Sequence, residues 1–434
     1  MTKRRVRRPV EVYVVLRATA ALAATIAFSI APLYRIRTVG MTPFELVLAG
    51  TVMEAAVFAF EIPTGIVADA VSRRWSVIVG HAGMGAALVF EALVPTVAGV
   101  LAAQAAWGIA YTFTSGATEA WLSGELSRET QLSGELSRET PVAAEPGSEE
   151  TQLSSLFLRA SRWSSVAALV GIPAAFGLAA FGLRVPLVIG GGLSLALAGW
   201  LVKAMHETGH EPTTRGGRST WQHLADSTRA GLGEIRTQRA LVWLAAMLLV
   251  AGGASEAYDR LTERHFVADI GFPRTLGGSS LTWLAIMFMV SAGAGIVVPL
   301  LVARAAPAAD RHRLGRWMVG LYVGQVVALA VFGLAAGFVV AAVAVVLVDR
   351  TRSVRESLTA AWVIPLTSPG RRATVLSTIG QFDAAGQVLI GPTFGLVASR
   401  AGVGPSLVVS AAVMAPGALL LARAGRSVRE LSGA

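Results

Sequence analysis

Two acidic residues stand in the second long apolar stretch of the chain, where a membrane helix is expected. Glu54 and Glu61 are seven residues apart, nearly two turns of an α-helix, so their side chains share one face. A carboxylate in such a place can take up a proton on one side of a membrane and release it on the other. The alternative for Glu61 is structural, as a helix cap or as the partner of Arg17 or of a loop arginine.

A second group of charges occupies two later apolar stretches. Asp349, Arg350 and Arg352 crowd one of them, and Asp383 lies in the next. Neighbouring membrane helices joined by a short loop run antiparallel, so these residues fall at similar depth and can form ion pairs. An ionised side chain at the bilayer centre costs roughly 2.5–3.5 kcal/mol on insertion scales and needs a partner. Such a pair is either a proton-coupled switch or a static ion pair.

Uncharged polar and aromatic side chains in the apolar stretches are candidates for contact with a substrate. They either line a cavity for a small molecule or hydrogen-bond one helix to another. The candidates for a substrate cavity are Gln104, Tyr111, Gln325, Gln381 and Gln387.

Metal and nucleotide chemistry have little support in the sequence. His206, Glu207 and His210 fit the zinc pattern His-Glu-x-x-His, but Gly209 and Pro212 oppose the helix that this pattern needs. A chance match is favoured, and a membrane metalloprotease built on the two histidines is a minor alternative. No Gly-x-x-x-x-Gly-Lys-Ser/Thr phosphate loop occurs, which argues against a primary ATP-driven pump. We predict no cofactor, no bound metal and no enzymatic activity.

The composition indicates which elements position these residues. Of the 434 residues 54% are hydrophobic and 15% are charged, and the mean hydropathy is +0.60. Soluble domains have about 25% charged residues, so an ordinary soluble enzyme is excluded. There is no cysteine, which removes disulfides and thiolate chemistry. Apolar stretches of about 20 residues, enough to span a bilayer, occur at 12–33, 44–68, 75–94, 97–122, 154–182, 185–204, 240–258, 278–303, 316–336, 338–363, 372–398 and 403–422. The predicted fold is an all-α membrane protein with twelve transmembrane helices.

Two internal repeats have different meanings. The nine residues LSGELSRET at 122–130 recur unchanged at 132–140, inside the acidic segment 123–152, which we predict to be a tolerant cytoplasmic loop. A weaker repeat relates an Ala-Trp pair at Trp121 to one at Trp362, and a Phe-Gly-Leu triplet at Phe176 to one at Phe394.

This weaker repeat predicts two pseudo-symmetric six-helix halves with a substrate site at their interface. The halves are residues 1–205 and 240–434. A cytoplasmic linker, 206–239, joins them and carries a short amphipathic helix.

The charge distribution predicts an orientation in the membrane. The net charge is +10, and almost all the basic residues are arginines. With the N-terminus inside, most arginines fall on the cytoplasmic side, while Arg260 and Arg264 fall outside. We therefore predict a multi-pass protein of the cell inner (plasma) membrane with both termini in the cytoplasm. Such a balance favours contact with anionic lipid headgroups over nucleic acid, and we expect a monomer.

One loop resembles a known signature. Gly65, Asp69, Arg73 and Arg74 match the Gly-x-x-x-Asp-Arg/Lys-x-Gly-Arg-Arg loop of the major facilitator superfamily, although Ala70 and Ser72 depart from it. The phrases at 61–65 and 116–122 resemble those of bacterial drug and macrolide exporters. The resemblance implies that this loop is a gate, a latch that breaks and re-forms as two halves rock.

The same resemblance implies a function. It suggests a secondary transporter that exports an amphipathic or drug-like small molecule in exchange for protons, with Glu54, Glu61 or Asp383 as the group that is protonated. A proton-coupled importer of a small metabolite is the nearest alternative. A membrane receptor or scaffold that transports nothing is a further one.

Overall fold

The computed structural model describes residues 9–136, 148–208, 229, 231–275, 279–305, 311–367 and 372–432. Within these ranges the chain is helical apart from turns and contains no β-strand. We number the α-helices in chain order: α1 (Pro9–Phe28), α2 (Ala31–Tyr34), α3 (Pro43–Ala70), α4 (Arg73–Leu93), α5 (Val97–Thr112), α6 (Ala117–Leu136), α7 (Ser148–Ala179), α8 (Val185–Ala204), α9 (231–237), α10 (Arg239–His265), α11 (Ser280–Ala305), α12 (Arg311–Leu334), α13 (Phe338–Val363), α14 (Arg372–Ala401), α15 (Val403–Met414) and α16 (Pro416–Ser432). Two π-helical turns, Arg35–Val39 and Phe266–Ile270, follow α2 and α10.

Each of the twelve predicted apolar segments coincides with one helix or with two helices in succession. In the described part of the chain, ten helical segments are long and apolar enough to cross a membrane. The long helices outside this set are α13 and α14, and five charged residues lie within 349–356 of α13. The all-α membrane architecture is therefore confirmed.

Three boundaries differ from the sequence prediction. The fourth apolar segment is broken into α5 and α6 by a turn at 113–116, where Gly116 has a φ of +73°. A residue with a side chain rarely adopts this backbone conformation, so the break is encoded by one glycine. The predicted loop 123–152 is largely helical, because α6 runs to Leu136 and α7 begins at Ser148; residues 137–147 lie outside the described part. Most of its residues are good helix formers.

The seventh apolar segment is also longer than predicted. It was expected to end at residue 258, but α10 continues to His265. In the linker, the predicted amphipathic helix is described only as α9, where Ile235 is buried. Residues 209–228 and 230 lie outside the described part, and so does His210.

The chain divides into two compact units. Unit 1 comprises residues 1–34 and 59–217, and unit 2 comprises 35–58 and 218–434. Residues 35–58, which the sequence prediction had placed in the first half, thus cluster with unit 2, and α3 contributes to both units. In unit 1, one hydrophobic cluster joins α1, α4, α6 and α8 through buried residues such as Leu16, Val77, Leu122 and Leu201.

Unit 2 is built around a close contact between α10 and α14. A Cβ atom added at Gly386 would lie 2.0 Å from the carbonyl oxygen of Leu249, and one added at Gly252 would lie 2.3 Å from that of Asp383. The two backbones approach so closely because neither glycine has a side chain, which is the usual device for packing membrane helices. This contact fixes the position of Asp383 relative to α10.

The residues of the weaker repeat have equivalent burial within their own units. Trp121 of α6 and Trp362 of α13 are each 3% exposed, and Phe176 of α7 and Phe394 of α14 are also buried. The repeated aromatic residues are therefore core residues in both units.

Candidate functional site

The C-terminal part of α10 carries a row of charged residues inside unit 2. Glu256 and Arg260 are four residues apart, so they meet on one face of the helix. Asp259 and Glu263 have the same spacing on an adjacent face. Glu256 and Glu263 are buried, at 0% and 8% exposure, which is rare for glutamate without a partner.

Arg260 is shared by two carboxylates. Its Nε donates to Oε2 of Glu256 at 3.3 Å, and its Nη2 lies 3.9 Å from Oε1 of Glu54 on α3. The other carboxylate oxygen of Glu256 is buried and has no hydrogen-bond partner in the described structure. One positive charge therefore faces two negative charges in a largely buried setting.

A glycine on α3 makes room for this arrangement. A Cβ atom added at Gly50, one turn before Glu54, would lie 2.1 Å from Nε of Arg260 and 2.7 Å from Oε2 of Glu256. On the far side of Glu256, Gly391 of α14 leaves space in the same way, with Cγ of Glu256 at 2.9 Å from its added Cβ. The group formed by Glu54, Glu256 and Arg260 is called the shared-arginine cluster below.

A second ion pair lies beside this cluster. Nη1 of Arg352 on α13 donates to both carboxylate oxygens of Asp259, at 2.7 and 2.8 Å, and its Nε donates to Glu356 at 3.1 Å. The expected pairing of Arg352 with Asp349 or Asp383 is thus replaced by a charge-assisted bond in which one guanidinium nitrogen faces both carboxylate oxygens of Asp259.

Asp349 and Arg350 are connected through a hydroxyl group. Asp349 accepts hydrogen bonds from the Tyr258 hydroxyl at 2.6 Å and from Oγ of Ser291 at 2.7 Å. Arg350 Nη2 donates to the same Ser291 Oγ at 3.5 Å, while Arg350 Nε is buried without a partner among the described residues. The predicted ion pair is therefore replaced by a bridge through Ser291.

Asp383 is held by its own helix. Oδ2 of Asp383 accepts a hydrogen bond from Nε2 of Gln387 at 2.8 Å, where the sequence predicted an arginine partner. Among the cavity candidates, Gln387 and Gln381 are half-buried on α14.

Two glutamine candidates are buried and bonded to neighbouring helices. Gln104 is 1% exposed, and its Nε2 donates to Oε2 of Glu91 at 2.9 Å, joining α5 to α4. Gln325 is 3% exposed and accepts from Nε of the buried Arg355 at 3.4 Å, joining α12 to α13. In both cases the side chain has almost no surface to offer a substrate, because packing between helices covers it.

Tyr111 is placed on an aromatic surface in unit 1. Its ring stacks on Trp107 with centroids 5.4 Å apart, and Trp107 meets Phe28 of α1 edge to face at 5.2 Å. Tyr111 is 42% exposed, so this surface is open. Glu61 is half-buried in the part of α3 that belongs to unit 1, whereas Glu54 lies in the part that belongs to unit 2.

The loop between α3 and α4 is tied together by short contacts. Arg73 pairs with Asp69 at 3.2 Å and donates to the carbonyl oxygen of Ala120 at 3.1 Å. Arg74 donates to the carbonyl oxygen of Val202 at 2.7 Å. A Cβ atom at Gly65 would touch nothing within 4 Å, so close helix approach is not the reason for glycine there.

Glu207 completes this loop. Its carboxylate accepts from the backbone N–H of Arg73 at 2.9 Å, from that of Arg74 at 3.4 Å and from the Ser72 hydroxyl. These are free donors at the N-terminus of α4, a position that favours an anion. Glu207 of the His-Glu-x-x-His pattern is therefore a helix cap. No group of three or more histidine, aspartate or glutamate side chains that could hold a metal occurs in the described ranges.

Sequence reasoning missed the partners of Glu54. Glu256, Asp259 and Arg260 were assigned to the edge of a segment and to the loop outside it, because the apolar run ends near residue 258. The four-residue spacing of Glu256 to Arg260, an acidic residue followed one turn later by a basic one, was the available signal that the helix continues.

The overall fold is similar to that of solved membrane transporters. The nucleoside transporter NupG superposes with a TM-score of 0.70 at 13% identity, over 96% of this chain and 99% of that one. The peptide transporter POT in complex with sulfate gives 0.72 at 13%, over 96% and 95%. A bacterial homologue of the human lysosomal transporter Spinster, inward-facing and unoccupied, gives 0.70 at 13%, over 98% of each chain. No family model and no curated protein matches the chain. The chain therefore has the fold of these transporters.

Proposed function

We propose that the chain is a secondary transporter of the major facilitator type that couples movement of a small molecule to protons by alternating access. The observation that carries this proposal is the shared-arginine cluster, in which Arg260 faces both Glu54 and Glu256. A buried carboxylate without a full counter-charge is costly, and binding a proton removes that cost. The similarity to solved transporters supports the transport part of the proposal.

The cluster also suggests how protonation changes the structure. A proton on Glu54 removes its attraction to Arg260, which then pairs with Glu256 alone. The first part of α3 thereby loses an ion pair to α10, since Arg260 is the cation that faces Glu54. Coupling follows if substrate binding and release depend on the position of α3. Asp383 and Glu61 are further candidates for proton binding, and the loop of Gly65, Asp69, Arg73 and Arg74 is the proposed gate.

The experiment is a proton-flux assay in liposomes that contain the purified full-length chain and a trapped pH-reporting dye. Three compound classes are added in turn: the amphipathic cation ethidium, the nucleoside uridine and the dipeptide alanylalanine. A compound-dependent pH change shows coupling, and its sign separates export in exchange for protons from import together with protons. Drug export, which the sequence resemblance implies, predicts a response to ethidium.

The variants test the cluster. Glu54→Gln and Glu256→Gln should abolish the compound-dependent pH change. Glu45→Gln is the matched control, because Glu45 lies on the same helix but only caps it, through bonds from the N–H and hydroxyl of Thr42. Full proton movement in Glu54→Gln would reject that residue as the carrier. Substrate movement without any pH change would reject coupling to protons, and no movement of any class would favour the receptor or scaffold alternative.

A further inference from the structure

A cavity of about 550 Å³ lies within unit 1, between α1, α6 and α7. Its wall includes Tyr13 and Arg17 of α1, Glu119 of α6, and a run of small residues on α7. All these residues belong to candidate membrane spans. The volume is within the range of sites that hold small molecules.

Two opposite charges face this cavity side by side. Nη1 of Arg17 lies 3.8 Å from Oε1 of Glu119, and the side chains are 50% and 43% exposed. The Tyr13 hydroxyl, on a buried residue, donates to the same Oε1 at 3.5 Å and orients the carboxylate. Arg17 lies two turns into α1, directly beside Glu119.

Stability does not account for this pair. Inserting a charged side chain into the membrane costs substantial free energy, while an exposed ion pair stabilises the fold only slightly. Both side chains keep about half of their surface uncovered, so their remaining hydrogen-bonding capacity is directed into the cavity. An Arg and a Glu held this way present a cationic and an anionic site a few ångströms apart.

The α7 wall adds hydroxyl groups and an apolar surface. Ser161, Ser164 and Ser165 lie on one face of the helix, and Oγ of Ser164 is buried without a hydrogen-bond partner in the described structure. Phe157, one turn earlier, packs edge to face against Tyr13 with centroids 5.9 Å apart and is 36% exposed. The cavity therefore combines a charge pair, hydroxyls and one aromatic face.

We infer that this cavity binds a small zwitterion whose ammonium and carboxylate groups are adjacent, as in an amino acid, and whose remaining part is uncharged. The carboxylate pairs with Arg17 and the ammonium with Glu119, so the ligand inserts between two side chains that are already oriented. The apolar part lies against Phe157, and a serine hydroxyl donates to the carboxylate. This inference rests on the proposed transport function and names the substrate class.

The test compares three probes that share one apolar body and differ only in charge: L-leucine, 4-methylpentanoate and 3-methylbutylamine. Binding to the purified full-length chain is measured by calorimetry in detergent, without any pH gradient. The wild-type chain should bind L-leucine about 10- to 100-fold more tightly than either singly charged probe, because each lacks one charge-assisted contact. Equilibrium binding of a probe does not require coupling to protons. Failure of the binding assay therefore tests this inference, while failure of the proton-flux assay tests the proposed transport function.

Two variants should change which of the three probes binds most tightly, and not only weaken binding. In Glu119→Gln the cation remains, so 4-methylpentanoate should bind as well as L-leucine or better. In Arg17→Gln the anion Glu119 remains, so 3-methylbutylamine should bind as well as L-leucine or better. Arg162→Gln is the control, because Arg162 is exposed on α7 and does not line the cavity. A fold defect would weaken all probes together.

Three results would overturn the inference. The first is a wild-type chain that binds none of the three probes, since L-leucine has the full set of groups proposed. The second is equal binding of all three, which would assign the site to the apolar body alone. The third is an unchanged preference in Glu119→Gln and Arg17→Gln, which would place the ligand elsewhere.

Discussion

At the scale of single residues, the sequence identifies a charge more reliably than its partner. Glu54 is visible because it interrupts an apolar run, and the structure places it half-buried beside Arg260. Its partner Arg260 was not predicted, because a charge at the end of an apolar run looks the same whether the helix stops or continues. Gln104 and Gln325 show the converse problem, since their residue type allows both substrate contact and the helix-to-helix bonds that the structure gives them.

Glu207 gives a prediction at this scale. Glu207→Ala removes the anion from three donors at the start of α4, so the free energy of unfolding should fall by about 1–3 kcal/mol. The measurement is the thermal unfolding midpoint of the purified chain in detergent. His206→Ala is the control, because the hydrogen bond of its ring, to the carbonyl oxygen of Ala204, is local. Equal loss in both variants, or stabilisation of the wild type by added zinc, would contradict the capping role.

At the scale of helices, hydropathy predicts where a helix lies but not where it breaks or ends. The apolar character of residues 97–122 is continuous, so hydropathy does not reveal the turn at 113–116. The positive φ of Gly116 explains why the helix breaks there. The acidic repeat was predicted as a loop because it is polar, yet Leu, Glu and Arg are also good helix formers. Polarity alone does not separate a solvated helix from a loop.

The contact between α10 and α14 gives a prediction at this scale. Gly386→Ala should lower the free energy of unfolding by about 1–3 kcal/mol or more, because its Cβ would overlap the carbonyl oxygen of Leu249. Thermal unfolding in detergent measures the loss, and the proton-flux assay should fall with it because Asp383 shifts. Gly380→Ala on the same helix is the control, since a Cβ there meets nothing within 4 Å. A Gly386→Ala chain as stable as Gly380→Ala would contradict the close contact.

At the scale of the whole molecule, fold class is the part that the sequence predicts best. Long apolar stretches have few alternatives to membrane helices, because backbone polar groups must be satisfied within each segment. The division into units is harder to predict from the chain, since residues 43–58 and 59–70 of the single helix α3 cluster with different units. That division depends on long-range contacts, which no local pattern in α3 records.

The orientation is a prediction that the absence of cysteine makes easy to test. A single cysteine introduced into the natural chain is the only reactive thiol. Thr275→Cys, on the exposed turn after the second π-helical turn, should react with a membrane-impermeant maleimide on intact cells. Thr2→Cys should react only after the cells are permeabilised. Labelling of Thr2→Cys on intact cells would reverse the predicted topology, and the cysteine-free chain is the background control.

The turn at Gly116 has a consequence for how recognition can diversify. It separates the aromatic surface of Trp107 and Tyr111 on α5 from Glu119 on α6, so the two surfaces lie on different helices joined by a turn that contains one permissive residue. A change in the angle between α5 and α6 at this turn alters the spacing between the aromatic surface and the Arg17–Glu119 pair, while both keep their residues. For the ligand that we propose, length and charge would therefore be recognised by separate parts of the chain, so that a substitution in one helix changes one property and leaves the other.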